Sequence, residues 1–422
     1  MARIYVFHKT VRGQMHKLRG IPCEDASASF ACDNGGKQYP GENRYYIAAV
    51  ADGHGASACF RSARGAQIAV DVAIECLKTC ADTWVENFRK FNEADPVSQK
   101  MFLQNPYQNP VNLRQLTDTI LARWYDRVML DYETSPLTPE EKADYPEAGK
   151  PGGNIPRIYG TTLIAALWLS SWLILIQQGD GRCDVFYQDG SADQPIPWDA
   201  RCQANVTTSL CDRDAAVSFR SCIINSREKK PIACFLESDG VEDAYRDTYD
   251  DLGETHGSMR GVHTFNKELI GRIIQHPGRY REFEAELEGL LQDFSANGQF
   301  GRGGSGDDVS VAGIVEEIDN YGYRERYKAD VDSYERDEKL FWLNDALRSK
   351  TRKLGILEQR YAEAKAALRA AGVRGDGRHT DAPQKQYEEA ESAYHAYKKE
   401  YERIQEERNQ LLREQNAKEE TE

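Results

Sequence analysis

Ile47-Ala48-Ala49-Val50-Ala51-Asp52-Gly53-His54-Gly55 is an apolar run that ends abruptly in an acid, with glycines on either side of a histidine. Five consecutive apolar residues stopped by an acid and glycines read as a buried strand. A carboxylate at the lip of such a strand is costly without a partner, and hard divalent cations are the usual partner with oxygen ligands. Three further stretches repeat the pattern: Pro22-Cys23-Glu24-Asp25-Ala26, Phe235-Leu236-Glu237-Ser238-Asp239-Gly240 and Gly306-Asp307-Asp308-Val309-Ser310-Val311. Taken singly, each is more often a plain turn. Four acidic strand lips converging on one place would make a metal site.

Around these lips, short β-branched or aromatic runs alternate with longer helical stretches. Strands are expected at Ala2 to Phe7, Tyr45 to Ala51, Thr161 to Trp168, Leu173 to Gln178, Asp184 to Gln188, Ile232 to Ser238 and Val309 to Val315. Helices are expected at Ser57 to Cys80, Leu113 to Tyr132, Asn266 to Gln275 and Arg281 to Ala296. Their apolar residues recur at three and four, as in Leu116, Ile120, Trp124 and Val128. The apolar run Leu163 to Ile176 is too short for a bilayer and is broken at Ser170-Ser171, so it reads as two strands joined by a tight turn. Thr134 to Pro156 reads as an extended loop, and the polar segment Pro195 to Lys230 as an inserted flap.

Past Val315 the chain becomes charged and helical. One heptad ladder runs Leu340, Leu347, Leu354, Tyr361, Leu368, with Leu343, Leu357, Ala364 and Ala371 between. A second runs Tyr387, Tyr394, Tyr401, with Ala390, Tyr397, Ile404 and Leu411, and Gly372 to Pro383 separates the two. Ladders on either side of a Gly- and Pro-containing break predict an antiparallel helical hairpin. The expected organisation is a catalytic domain over residues 1–320, with the flap at about 195–230, and a hairpin over 330–422.

The 422 residues carry a formal charge of −14, of which −3 falls from Asp330 onward. An acidic catalytic part disfavours a nucleic-acid backbone or an anionic membrane as partner, and it argues against a two-metal nuclease, which would want a basic groove. The start of the chain alternates like a strand and does not resemble a secretion signal. All ten cysteines fall between Cys23 and Cys234 without a Cys-x-x-Cys pair. Buried free thiols in a reducing cytoplasm are therefore expected rather than zinc.

Together with Tyr159-Gly160-Thr161-Thr162 and Gly179-Asp180-Gly181-Arg182, the four acidic stretches resemble, in order and spacing, the motif series of the protein phosphatase 2C family. The resemblance covers residues 1 to about 316. Gly13, His16, Gly20, Pro22, Cys23, Asp25 and Ala26 look like a bacterial branch of it. It implies an α+β fold, a four-layer αββα sandwich of two antiparallel sheets flanked by helices, with the helical hairpin added here. It also implies a centre of two ions, Mg²⁺ or Mn²⁺, that share a water and aim it at a phosphate phosphorus. By position, Asp52 would bridge the ions, with the Gly53 carbonyl on one of them. Asp239 and Asp307 match acids that hold the other, and Asp25 and Glu24 would reach the centre directly or through water. His54 matches a proposed general acid for the departing Ser or Thr oxygen; a hydrogen-bonded supporting role is the alternative.

The sequence departs from the family pattern at several places. The usual phosphate-binding arginine has no clear counterpart: Arg19 is one position off, and His16 sits in the variant motif. Asp308 stands where an Asn is usual, either adding charge to the centre or capping the strand. Gly153 to Tyr159 offers only Asn154 and Arg157 for a third ion, which is not expected. The implied partner is a phosphorylated protein. A pseudophosphatase scaffold recruiting a partner through the coil is the alternative, disfavoured because Asp25, Asp52, Asp239 and Asp307 all stand in place. For residues 330–422, a protein partner, self-association and simple packing stay open.

Overall fold

The computed structural model describes residues 4–32, 44–93, 97, 112–144, 146, 153–202, 206–226, 228–245, 257–275, 278, 280–298, 304–316, 321–373 and 381–419. The chain divides into two compact units, Met1–Lys328 and Ala329–Glu422.

Among the described residues, the first unit holds ten strands in two antiparallel sheets. One sheet is ordered β2 (Ala26–Cys32), β3 (Tyr45–Ala51), β4 (Leu163–Leu169), β5 (Trp172–Gln178) and β8 (Arg220–Asn225). The other is ordered β1 (Ile4–Val11), β10 (Val309–Glu316), β9 (Pro231–Glu237), β6 (Arg182–Tyr187) and β7 (Ala192–Asp193). The helices of this unit are α1 (Gln14–Arg19), α2 (Ser62–Glu93), α3 (Leu113–Thr134), α4 (Pro139–Asp144), α5 (Ala215–Ser218), α6 (Asp239–Glu242), α7 (Gly257–Gln275) and α8 (Tyr280–Asn297).

Strand β3 shows why the apolar runs are continuous. Ile47, Ala49 and Ala51 face the helix layer of α2 and α3, packed with Ile120, Trp124 and Leu77. Ala48 and Val50 face the opposite sheet and meet Leu236, Ala312 and Ile314. Both faces are buried, so the period-2 alternation of a half-exposed strand disappears. Helices α7 and α8 cover the outer face of the second sheet, where Phe7, Phe235 and Phe283 pack edge to face. The result is the four-layer sandwich that the resemblance implies.

Several boundaries differ from expectation. The stretch read as one helix from Ser57 is a short 3-10 turn, Ser57–Cys59, followed by α2 running on to Glu93. The segment read as an inserted flap contains α5 and β8, and β8 pairs with β5 from Arg220 to Asn225, so its second half is a sheet edge. Ile223 packs on one core and Cys222 and Ile224 on the other, but Arg220, Ser221 and Asn225 flank them closely, which hides the strand from a search for apolar runs. The loop expected from Thr134 holds α4 and, at Ile155–Tyr159, a 3-10 turn; residues 145 and 147–152 of it lie outside the described residues. The turn at Ser170 is made with a positive φ of 52°.

The described residues of the second unit lie within α9 (Tyr321–Val373) and α10 (Asp381–Glu419). Leu343, Leu347 and Ile404 form its small core, and Tyr361 stacks on Tyr394 with ring centroids 5.4 Å apart. Lys350 to Glu400 and Lys339 to Glu407 are ion pairs across the two helices, an antiparallel register. The interrupting residues of the ladders thus become cross-helix contacts: Lys350 pairs with Glu400, and Arg408 donates to Asn344 Oδ1 at 2.6 Å. No helix among the described residues is long and apolar enough to cross a membrane.

Candidate metal centre

The acidic lips meet at one end of the two sheets. Asp52 leaves β3 held from both sides by the Gly-Thr-Thr stretch. Its N–H donates to Thr162 Oγ1 at 3.0 Å, and its carbonyl accepts from Thr162 N and Thr161 Oγ1, both at 2.8 Å. One residue on, the His54 N–H donates to the Gly160 carbonyl at 3.1 Å. Gly53 has no room for a side chain, since a Cβ there would lie 2.4 Å from the Glu24 carbonyl oxygen. The backbones of the first two acidic stretches are therefore in contact.

Asp25, Asp52 and Asp239 come together. Burial, then the Asp239 and Asp25 carboxylates, pushes the Asp52 carboxyl well above the usual range. Asp239, at the start of α6, is raised by burial and by Asp180 and Asp243. Asp25 is pushed up to about 7, first by burial and then by Asp308, and its Oδ2 is buried without a hydrogen-bond partner. These acids destabilise one another as ions, which is the situation a divalent cation relieves.

Asp307 and Asp308 stand beside His16. His16 Nδ1 is 3.0 Å from Asp308 Oδ1, and its Nε2 is 3.4 Å from Asp307 Oδ1 and 4.0 Å from Glu24 Oε2. Among the described residues, His16, Asp307 and Asp308 are the one trio of His, Cys, Asp or Glu whose ligand atoms all lie within 4.8 Å of one another. No three of the described acids around Asp52 come as close. The donor set as a whole, carboxylates with one imidazole, is of the kind that hard divalent cations take.

A match to the family model described as Protein phosphatase 2C spans residues 12–276. The chain belongs to the protein phosphatase 2C family. By that membership it is a protein-serine/threonine phosphatase. Among solved structures, a bacterial serine phosphatase is similar at 16% identity, covering 75% of this chain and 100% of that one, with a TM-score of 0.40. The catalytic domain of the serine/threonine protein phosphatase PstP, in complex with two manganese ions, is similar at 16% identity, with coverage of 74% and 97% and a TM-score of 0.38. PppA of Pseudomonas aeruginosa is similar at 15% identity, with coverage of 75% and 98% and a TM-score of 0.37. No curated protein matches the chain.

Within this phosphatase domain, two residues take places that their motifs did not reveal. Asp308 is 2% exposed, and its two oxygens accept the N–H groups of Gly13 and Glu24, each at 2.6 Å. It ties the loop between β1 and β2 to the entrance of β10 through both of its oxygens. Asp180, quoted in a motif but not assigned to the site, is close enough for its charge to push up the Asp52 and Asp239 carboxyls and to favour protonated His54. The signal was present, because Gly179-Asp180-Gly181 repeats the acid-beside-glycine pattern of Asp52-Gly53 at the end of another buried strand. Gly179 needs its freedom there, with φ +103°.

Glu24 turns its Oε1 to the Ser62 hydroxyl, which donates at 2.7 Å from the start of α2. His54 is partly buried, and burial lowers its pKa while Asp180 and Asp212 oppose that shift. Arg182 donates to both oxygens of Glu242 at 2.5 Å and lies over the Trp198 ring, 4.1 Å from its centroid. It therefore braces the base of the flap against α6.

Proposed function

We propose that the chain removes phosphate from phosphoserine and phosphothreonine side chains of proteins by direct attack of water, in a centre that two divalent cations, Mg²⁺ or Mn²⁺, complete. The observation that carries this reading is the meeting of Asp25, Asp52 and Asp239, three mutually repelling, largely buried carboxylates presented by strands of both sheets. When bound, the ions would supply Lewis acidity and lower the pKa of a bound water.

Asp52, the Gly53 carbonyl, Asp239 and Asp307 would hold the ions. Asp25 and Glu24 support them, and Glu24 is kept in place by Ser62 and by its backbone bond to Asp308. Asp308 acts as a clamp on the loop that carries His16 and Glu24. His16, whose Nε2 is 3.4 Å from Asp307 Oδ1, would meet the phosphate in place of the missing arginine. His54 gives a ring proton to the departing Ser or Thr oxygen, with Asp180 and Asp212 favouring its protonated form and burial opposing it.

Hydrolysis of an aryl phosphate and of a phosphothreonine peptide, each with Mn²⁺, Mg²⁺ or chelator, tests the proposal. Turnover of both substrates with metal and none in chelator is expected. A folded chain inactive under every metal would sink it.

A further inference from the structure

On the helix-covered face of the second sheet, β6 and β9 carry acids among aromatic residues. Asp184 shares its face with Phe186 on β6, and Glu237 shares its face with Phe235 on β9. Both acids are 0% exposed, as is Asn266, which reaches them from α7. The Asn266 amide donates from Nδ2 to Asp184 Oδ2 at 3.0 Å. His263, one turn earlier on α7, brings Nε2 to 3.3 Å from Asp184 Oδ1 without the alignment of a hydrogen bond. Four oxygens then remain without a well-formed hydrogen bond, although Asn266 lies close enough to Glu237 to favour its ionised form: both of Glu237, Oδ1 of Asp184 and Oδ1 of Asn266.

Neighbouring cations do not meet this demand. The Arg182 guanidinium, beside Glu237 on the next strand, is engaged by both oxygens of Glu242 and by Trp198. A wholly buried carboxylate with neither oxygen in a well-formed hydrogen bond is costly in a folded protein. Two such acids repel each other as well. Turning Asn266 cannot satisfy them all, since one amide has two N–H groups and Asp184 already takes one.

What these side chains offer is a set of oxygen donors, carboxylate and amide, from three packed elements. We propose that Asp184, Glu237 and Asn266 form a buried site for a hard divalent cation, separate from the catalytic centre and structural in role. The charge complement fits, two carboxylates against one divalent ion, and oxygen donors of this kind are what Ca²⁺, Mg²⁺ and Mn²⁺ take. The site ties β6 and β9 to α7 directly behind the turn that presents Asp239, two residues after Glu237. An ion there stiffens the base on which a catalytic acid stands.

Crystals of the full chain, grown once with Mn²⁺ and once with Ca²⁺ and measured for anomalous scattering, locate any such ion. A peak within about 2.6 Å of Glu237 and Asp184 oxygens is expected in at least one of the two. A flat map there in both overturns the proposal, whether or not the Asp52 and Asp239 site fills. Two acids sharing a proton would give that flat map. In solution, Glu237→Gln should retain one ion fewer per chain on elemental analysis after desalting, while metal-dependent turnover survives. An unchanged ion count in that variant overturns the proposal too; should the variant not fold, the maps of the unsubstituted chain decide alone.

Discussion

Asp308 shows how much one side chain can do at a distance that sequence cannot register. It lies 295 residues from Gly13 and 284 from Glu24, yet it accepts both of their N–H groups. Replacement by alanine leaves two buried donors unmatched, and Asp308→Ala is expected to lower stability by about 2–4 kcal/mol. Asp308→Asn, which keeps an acceptor, should lose less. Denaturant unfolding of the two variants checks the order, and equal losses would contradict the clamp. Asp52 was legible beforehand because an apolar run stopped at it. Asp308 was visible as an acid but not as a clamp, because its partners are backbone groups far away in the chain. Asp180 could have been found by asking which other buried strand ends in an acid between glycines.

At the scale of elements, strands buried on both faces were the easiest to read. β3 matches its expected bounds, and β4, β5, β9 and β10 are displaced by no more than two residues at either end. The missed strands are β2, whose Ala-Ser alternation carries little hydrophobic signal, the two-residue β7, and β8 at a sheet edge. Their pairing is decided by the neighbouring strand rather than by their own side chains. The helical ladders were legible for the opposite reason, since a seam repeated over many turns is strong evidence by itself. Those helices belong largely to a unit with its own core of Leu343, Leu347 and Ile404. Tyr327, 1% exposed, packs its ring edge against Phe186 within the first unit and belongs with it. A chain ending at residue 329 is therefore expected to fold and to keep turnover of a small aryl phosphate. Loss of turnover from a chain that still melts cooperatively would contradict that independence.

For the whole molecule, the gathering of acids at one end of the sandwich links stability to pH. Asp25 is pushed up to about 7 in the folded chain, against about 3.9 when unfolded, and Asp52 and Asp239 are raised in the same direction. Folding therefore binds protons. Its contribution is fully present below about pH 4 and is lost as pH rises through about 7. In chelator, the melting temperature should fall between about pH 5 and about pH 8, and Mn²⁺ should restore most of the loss at the upper end. A metal-free chain that grows more stable over that range would contradict the clustering.

The most direct test of the account is turnover of a phosphothreonine peptide as Mn²⁺ is raised, comparing the unsubstituted chain with Asp52→Asn and Asp239→Asn. Saturable activation by Mn²⁺ is expected in the unsubstituted chain, with a fall of at least about 100-fold in both variants at saturating metal. Variants that keep full turnover, or an unsubstituted chain equally active in chelator, would contradict a metal-dependent phosphatase built on these acids.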